Sequence, residues 1–292
     1  MKSWKRILFV AIGILVLNVF GISGCQGKTE DIWQPKEPTK EQIVLLEKIY
    51  NEFENLIYSA DETVTINWKG LYKEKFDKLC GSNINIEINF KADYYQKPDE
   101  TLKKGGDCED FAILFVSAAK NIDVPARVTV GKIKIKEKVE IHAWTEIYYR
   151  GKWQTVDPTG RIEKIDPITG EVKKRIVPFD WFIKHPNDFH LVEIIYKFDD
   201  KNIEGISPIE RLESKKPEMK EEVFLSLYDI FKKIKNREPS PDELKEIKEI
   251  TDYLFELRWE IIKKRIPEDP RTIIQPDNPE LKIWIEKIKA KG

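Results

Sequence analysis

The chain has 292 residues, 41% of them hydrophobic and 11% aromatic, which is enough to bury a core and form one or two globular domains. Its 50 lysines and arginines are balanced by 51 aspartates and glutamates, so the composition gives no sign of a nucleic-acid-binding protein. Charged residues make up 35% of the chain, a fraction common in proteins from hot environments.

Residues 1–24 resemble an export signal. Basic residues near the N-terminus precede an apolar run over residues 7–20, and small residues lead to Cys25. The stretch Ile-Ser-Gly-Cys at 22–25 resembles a bacterial lipoprotein processing site, which predicts a mature chain that begins with a lipidated Cys25. The alternative is an uncleaved signal anchor, because residues 7–24 approach the roughly 20 residues that span a bilayer. Both interpretations predict a protein held at the cell membrane, with residues 26–292 on its extracytoplasmic side.

A polar tether over residues 25–38 is followed by a predicted N-terminal helix over residues 39–60. Thr39 and Gln42 have the spacing of a capping box, and apolar residues then recur at three- and four-residue steps. Residues 61–204 combine a helix with runs rich in β-branched and aromatic residues. These residues are predicted to form one domain.

Within that domain, "KKGGDCEDFAILF" at 103–115 places Cys108 at the start of a predicted helix that runs from about Asp107 to Asn121. Unpaired backbone N–H groups at a helix N-terminus favour a thiolate, whereas the neighbouring carboxylates disfavour it, so a catalytic thiol here needs a base. Gly105 and Gly106 let the backbone approach a ligand closely. One alternative is a structural disulfide between Cys80 and Cys108, since exported proteins use cysteines in pairs.

The segment "IHAWTEIYYRGKWQTVDPTG" at 141–160 is predicted to be a hairpin with Arg150-Gly151 as its two-residue turn. Tyr149 then faces Lys152, and this register places His142 diagonally next to Asp157 on one face of the sheet. Such neighbours are close enough for an imidazole–carboxylate hydrogen bond. Taken singly, His142 could be an ordinary strand histidine and Asp157 a turn-initiating residue.

Residues 205–292 are predicted to be helical. Ser240 and Glu243 have the spacing of a second capping box, and the apolar faces of residues 223–234 and 244–261 predict a helical hairpin. We interpret it as a cap on the core, with a substrate cover or partner-binding surface as the alternative. His185 and His190 lie five residues apart, but other clustered ligands are lacking in the sequence, so no metal site and no cofactor are predicted.

Cys108, His142 and Asp157 are the residue types that nucleophilic attack on an acyl carbon requires. A thiolate attacks, an imidazole takes and returns the proton, and a carboxylate orients the imidazole and stabilises its charged form. Together they make a catalytic interpretation stronger than the structural interpretation of each residue alone.

"GGDCEDFAILFVSAAKNIDVPARVTVG" followed by "HAWTEIYYRGKWQTVDPTG" resembles the transglutaminase-like superfamily, and "YYQKPDETL" at 94–102 resembles the lead-in of its bacterial and archaeal members. The resemblance covers roughly residues 90–160. It implies an α+β, papain-like fold in which the cysteine helix packs on an antiparallel sheet. It also implies that Cys108 is the nucleophile, His142 the general base and Asp157 the residue that orients it.

This resemblance implies attack on an amide bond through a thioester, and it leaves open whether water or an amine resolves that intermediate. We expect the Cys108 backbone N–H to be one oxyanion donor, with Tyr95 or Gln96 as candidates for a second. The sequence therefore predicts a cysteine hydrolase or acyltransferase with a protein or peptide substrate, a protease or amidase in preference to a cross-linking enzyme. The alternative is a catalytically inactive binding or scaffolding module of the same fold.

Overall fold

A computed structural model describes residues 35–61, 63–66, 70–81, 88–91, 94–135, 137–165, 172–185 and 189–291. The predicted export signal, Cys25 and most of the tether lie outside these residues, so the anchor stays a prediction. Within the described part of the chain, no helix combines the length and the apolar character needed to cross a membrane.

The described helices and strands alternate through the first two thirds of the chain, and helices follow. The helices are α1 (Lys40–Glu52), α2 (Leu71–Cys80), α3 (Pro98–Lys104), α4 (Cys108–Asn121), α5 (Phe179–Lys184), α6 (Pro208–Ser214), α7 (Lys216–Lys235), α8 (Pro241–Arg265) and α9 (Pro279–Ala290). The strands are β1 (Thr63–Ile66), β2 (Ile88–Lys91), β3 (Ala126–Ile135), β4 (Lys138–Tyr149), β5 (Lys152–Val156), β6 (Arg161–Ile165), β7 (Val172–Ile176), β8 (Leu191–Phe198) and β9 (Ile203–Gly205). Two short 3₁₀ turns cover Phe53–Asn55 and Pro270–Ile273.

These elements form two compact units, each assembled from separate parts of the chain. Of the described residues, the smaller unit contains those within Asp61–Tyr94 and Pro208–Ile266, and the larger contains residues 35–60, those within Tyr95–Ser207 and the segment from Pro267 onward. The helical region after residue 205 therefore contributes to both units, because α9 packs against α1 and α4 in the larger one.

The larger unit is built on a five-stranded antiparallel sheet with strand order β5-β4-β3-β8-β9. α4 packs on β3 and β4, and its residues from Phe111 to Ala119 are fully buried. This confirms the predicted α+β fold, in which the cysteine helix packs on an antiparallel sheet.

α1 starts at the predicted capping box, in which Thr39 and Gln42 exchange side-chain to backbone hydrogen bonds. The helix ends at Glu52 and does not continue to residue 60 as predicted. Ile57 is consequently 68% exposed and does not lie on the buried helical face. The reason is that the backbone of residues 57–59 forms hydrogen bonds with Gly106 instead of with the preceding turn.

The smaller unit contains the predicted helical hairpin, formed by α7 and α8, with α2 packed against both helices. Its second helix begins at Ser240, whose capping box with Glu243 is confirmed. Ile234 was predicted on the apolar face of the first helix but is 40% exposed, because it lies in the last turn of α7. The β1–β2 pair completes the unit, and the side chain of Cys80 is buried within it.

Candidate active site

Cys108 is the first residue of α4, and the buried carboxylate of Asp110 fixes how this helix begins. Asp110 accepts hydrogen bonds from the backbone N–H of Gln96 at 2.8 Å and from that of Asp107 at 3.2 Å. The side-chain amide of Gln96 donates to the same carboxylate at 2.7 Å. The thiol therefore lies beside the unpaired backbone N–H groups of a helix N-terminus, as the sequence predicted.

The same contacts argue against both suggested second oxyanion donors. The amide of Gln96 is held by Asp110, and the hydroxyl of Tyr95 forms a hydrogen bond with that of Tyr196 at 2.5 Å. A donor already engaged by a protein group is poorly placed to receive a substrate oxyanion.

Gly105 and Gly106 bring the backbone close to another segment of the protein itself. The N–H of Gly106 donates to the carbonyl of Ile57 at 3.1 Å, and its carbonyl accepts from the N–H of Ser59 at 3.0 Å. A Cβ atom on Gly105 would lie 2.0 Å from the carbonyl oxygen of Ile57, at a φ of +79° that favours glycine. These glycines thus dock the loop before Cys108 against residues 57–59.

The hairpin has the predicted register. Tyr149 pairs with Lys152 across the turn, and the ladder continues to Thr145 opposite Val156. One step further, the Nε2 atom of His142 lies 2.9 Å from the Oδ2 atom of Asp157, which confirms the predicted hydrogen bond.

Thr159 completes the support of the carboxylate. Its hydroxyl and its backbone N–H donate to the Oδ1 atom of Asp157 at 2.6 Å and 2.8 Å, leaving Oδ2 for the histidine. Burial is the largest single effect and opposes the charge on both partners, but their mutual attraction and their hydrogen bonds together outweigh it. The pKa of His142 is therefore raised, and the pKa of Asp157 is lowered. The carboxylate therefore stabilises the imidazolium that forms when neutral His142 accepts a proton.

The surroundings of Cys108 favour the protonated form of its thiol. The thiol donates to the Oε2 atom of Glu109 at 3.2 Å, and the backbone N–H of Ala143 lies beside it. Burial, and then the charges of Glu109 and Asp107, raise the pKa of the thiol well above its ordinary value of 9.0, while the N–H of Ala143 acts in the opposite direction.

The structure thus pairs His142 with Asp157 and places Cys108 beside the strand that carries the histidine. His142 and Asp157 share a hydrogen bond, and Cys108 is joined to the same strand through the residue that follows His142. Cys80 and Cys108 are both free, so the disulfide alternative is wrong.

Sequence reasoning missed Ala143 and Tyr58. Tyr58 pairs with Gly106 and stacks edge-on against Phe111 at 6.0 Å, one turn after the cysteine. No local signal identifies Tyr58, because it lies 50 residues before Cys108 in the sequence.

Among the described residues, one group of potential metal ligands is found, and it includes the thiol itself. The donor atoms of Asp107, Cys108 and Glu109 lie within 4.8 Å of one another. Metal binding there would occupy the sulfur that the reaction requires. His185 instead shares a hydrogen bond between its Nδ1 and the carbonyl of Trp181 at 2.9 Å, and Asp188, between the two histidines, lies outside the described residues.

Residues 72–158 match the sequence profile of the transglutaminase-like superfamily. No curated protein sequence matches the chain.

Among solved structures, LapG from Legionella pneumophila is similar at 19% identity and a TM-score of 0.33, covering 58% of this chain and 70% of LapG. Its calcium-bound form gives 20% identity, a TM-score of 0.32 and the same coverage. A candidate cysteine protease from Cytophaga hutchinsonii gives 15% identity and a TM-score of 0.21, covering 57% of this chain and 56% of that one.

Proposed function

We propose that this chain, a member of the transglutaminase-like superfamily through residues 72–158, is a cysteine-dependent hydrolase or acyltransferase that attacks amide bonds of proteins or peptides. Cys108 is the nucleophile, His142 the general base and Asp157 the residue that orients the histidine. We propose hydrolysis of the bond, as by a protease or amidase, in preference to cross-linking.

The observation that carries the proposal is the 2.9 Å bond between Nε2 of His142 and Asp157, on the strand whose next residue contacts the Cys108 sulfur. Because Asp157 occupies Nε2, Nδ1 is the nitrogen that can exchange a proton with the thiol. An ordinary structural histidine needs neither a buried carboxylate partner nor a thiol beside the next residue of its strand.

The order of proton transfers in the reaction follows from this arrangement. Nδ1 of His142 takes the thiol proton as the sulfur attacks the carbonyl carbon, and the carbonyl oxygen becomes an oxyanion near the Cys108 N–H. The tetrahedral intermediate collapses, the C–N bond breaks, and the leaving amine receives the proton from the histidine. Water, activated by the same base, then hydrolyses the thioester and regenerates the thiol.

One observation favours the second candidate, an inactive binding module. The thiol donates to Glu109, and its pKa is raised well above the ordinary value by burial and by the neighbouring carboxylates. A resting nucleophile with these properties must be ionised by its base during the reaction. The two candidates therefore differ in whether His142 controls the reactivity of Cys108.

Iodoacetamide labelling with peptide mapping tests that difference on the folded protein. We expect Cys108 to be alkylated faster than Cys80, which is 3% exposed and whose pKa is raised by burial to about 11. His142→Ala should slow the labelling of Cys108, whereas His185→Ala, which changes an exposed histidine, should not. Equal labelling of both cysteines, or no effect of His142→Ala, would support the binding module.

A second assay separates cleavage from transfer. Incubation with reduced and alkylated casein should produce new N-termini that are absent with Cys108→Ala. Incorporation of a dansylated amine into casein without new N-termini would instead identify an acyltransferase.

We further propose that the enzyme acts at the extracytoplasmic face of the membrane. The support is the sequence pattern that ends at Cys25, and a 14-residue tether reaches at most about 50 Å when extended. Mass spectrometry of the native N-terminus should find either a lipidated Cys25 or an intact Met1. Recovery of the native protein in the soluble cytoplasmic fraction would contradict both anchors.

A further inference from the structure

The strand that carries His142 extends beyond its hairpin partner. β4 covers Lys138–Tyr149, whereas β5 pairs only with its residues from Thr145 to Tyr149. On the β5 side of residues 138–144, the described part of the chain contributes no pairing strand. This half of β4 is therefore an edge, although the same residues pair with β3 on their other side.

The turn determines which backbone groups point toward that edge. Arg150 and Gly151 both have positive φ, at +56° and +72°, as in a two-residue hairpin whose flanking pair exchanges two hydrogen bonds. Tyr149 belongs to that flanking pair, so it and every second residue before it direct their N–H and C=O groups toward the β5 side. Residues 139, 141 and 143, which we call the open edge, belong to this set.

Two contacts agree with this assignment. The N–H of Tyr148, which belongs to the other set, donates toward the β3 side, to the carbonyl of Pro125 at 2.9 Å. The backbone N–H of Ala143, which belongs to the open edge, acts on the Cys108 thiol by lowering its pKa. The open edge therefore leads directly to the thiol.

Two of the three side chains of the open edge, those of Val139 and Ile141, are also exposed. Ala143 and Ile147 lie on the face of β4 that packs into the core. Ile141 and Val139 lie on the same face, further toward the start of β4. They are 45% and 47% exposed. An exposed strand edge with apolar side chains is a template for pairing with another strand.

We propose that the open edge binds the substrate as an added β-strand, so that the substrate is an extended polypeptide segment. This inference rests on the proposed function, because the edge is useful to an enzyme only if Cys108 is the nucleophile. Backbone groups on an edge repeat about every 6.8 Å, the spacing of alternate residues in an extended peptide. Such pairing recognises backbone and selects weakly among side chains. Folded proteins, whose backbone groups are already paired, would be excluded.

The probe that tests this is a peptide vinyl sulfone, acetyl-Ala-Val-Ala-Ala-vinyl sulfone, and its four singly N-methylated forms, used on the full chain. We expect N-methylation at alternate residues to slow the labelling of Cys108 by about twofold to tenfold, the value of one backbone hydrogen bond. Methylation at the intervening residues should have little effect, because their N–H groups point away from the edge.

Variants of the protein test the same contact from the other side. Ile141→Pro removes an N–H that points toward the open edge, where proline is tolerated in a strand, and Ile141→Ala keeps that N–H. We expect the proline variant to slow vinyl sulfone labelling more than the alanine variant does, and only the proline variant to lose the alternating response to N-methylation. For each variant the rate is divided by the rate of Cys108 labelling with iodoacetamide, which needs no strand pairing. If circular dichroism shows that Ile141→Pro is unfolded, Val139→Pro replaces it. The N-methyl series on the parental chain tests the strand proposal without any variant.

Each contrary result has a definite meaning. An N-methyl response that does not alternate, equal rates for Ile141→Pro and Ile141→Ala, or no vinyl sulfone labelling where iodoacetamide does label Cys108, would overturn the strand proposal alone. Concentration-dependent dimerisation that Ile141→Pro abolishes would assign the edge to a second copy of the chain and would also overturn it. A rate of iodoacetamide labelling of Cys108 that His142→Ala does not change would instead overturn the proposed function.

Discussion

Replacing Glu109 by glutamine should make Cys108 react faster with iodoacetamide at neutral pH. The thiol donates a hydrogen bond to the Glu109 carboxylate at 3.2 Å, and this charge is among the causes that raise its pKa. Glutamine keeps the size of the side chain and a hydrogen-bond acceptor but removes the charge. More of the sulfur is then ionised at a given pH, and only the thiolate reacts.

The distance sets the expected size of the effect. At 3.2 Å, Coulomb's law gives about 1.3 kcal/mol with the dielectric constant of water and about 5 kcal/mol at an effective value of 20. These energies correspond to a thiolate fraction higher by about ninefold to a few thousandfold. A thiolate of lower pKa is a weaker nucleophile, with a Brønsted coefficient of about 0.4–0.5, so the net gain in rate is about threefold to a hundredfold.

The assay is the initial rate of Cys108 alkylation, followed by peptide mass mapping between about pH 6 and 8. Asp123→Asn is the matched control, because it removes one negative charge beyond the other end of α4, at a φ of +57° that asparagine tolerates. It should leave the rate unchanged. A Glu109→Gln rate equal to or below that of the parental protein would refute the argument that this carboxylate keeps the thiol protonated.

Three further outcomes follow from the same coordinates. The pKa of His142 is raised above 6.5, and the pKa of Asp157 is lowered below 3.8. Their pairing should therefore stabilise the fold fully between pH 3.8 and pH 6.5. This stabilisation should be lost as the pH rises through the folded pKa of the histidine. The loss of unfolding free energy in Asp157→Asn, measured with urea, should thus be larger near about pH 5 than near about pH 9, and the reverse order would contradict this sign. Gly105→Ala should lower the free energy of unfolding by more than about 2 kcal/mol, since its Cβ would meet a backbone oxygen at 2.0 Å. Gly151→Ala has a similar φ but nothing within 4 Å of the added Cβ, so it should lower the free energy of unfolding by less. Arg150→Asn should raise the free energy of unfolding by about 0.5–1 kcal/mol, because asparagine tolerates the positive φ of this turn better, and a destabilised variant would show that other contacts of the arginine matter more.

The parts of the fold that the sequence predicts correctly depend on short-range signals. The capping boxes at Thr39 and Ser240 and the start of α4 beside Cys108 are each specified within four residues. The hairpin register follows from one two-residue turn, and the pairing of His142 with Asp157 follows from that register.

The parts that sequence reasoning missed depend on contacts between distant residues. The end of α1 is determined by backbone pairing of residues 57–59 with Gly106, and no pattern within the helix encodes it. Gln96 was a candidate oxyanion donor until the structure placed its amide against Asp110. A residue type indicates which hydrogen bonds a side chain can make, but only the assembled fold determines which partner is closest.

One property of β4 links catalysis to the proposed substrate binding. In a strand, side chains alternate between the two faces of the sheet, and the backbone groups of alternate residues point to opposite edges. The side chain of His142 reaches Asp157, and the next residue, Ala143, directs its backbone groups to the open edge, as do residues 139 and 141. A shift of β5 against β4 by one residue would therefore turn Asp157 to the opposite face of the sheet and separate it from the histidine. The two-residue turn at Arg150-Gly151, 8 residues from the histidine, is for this reason as important to the site as the residues that form it.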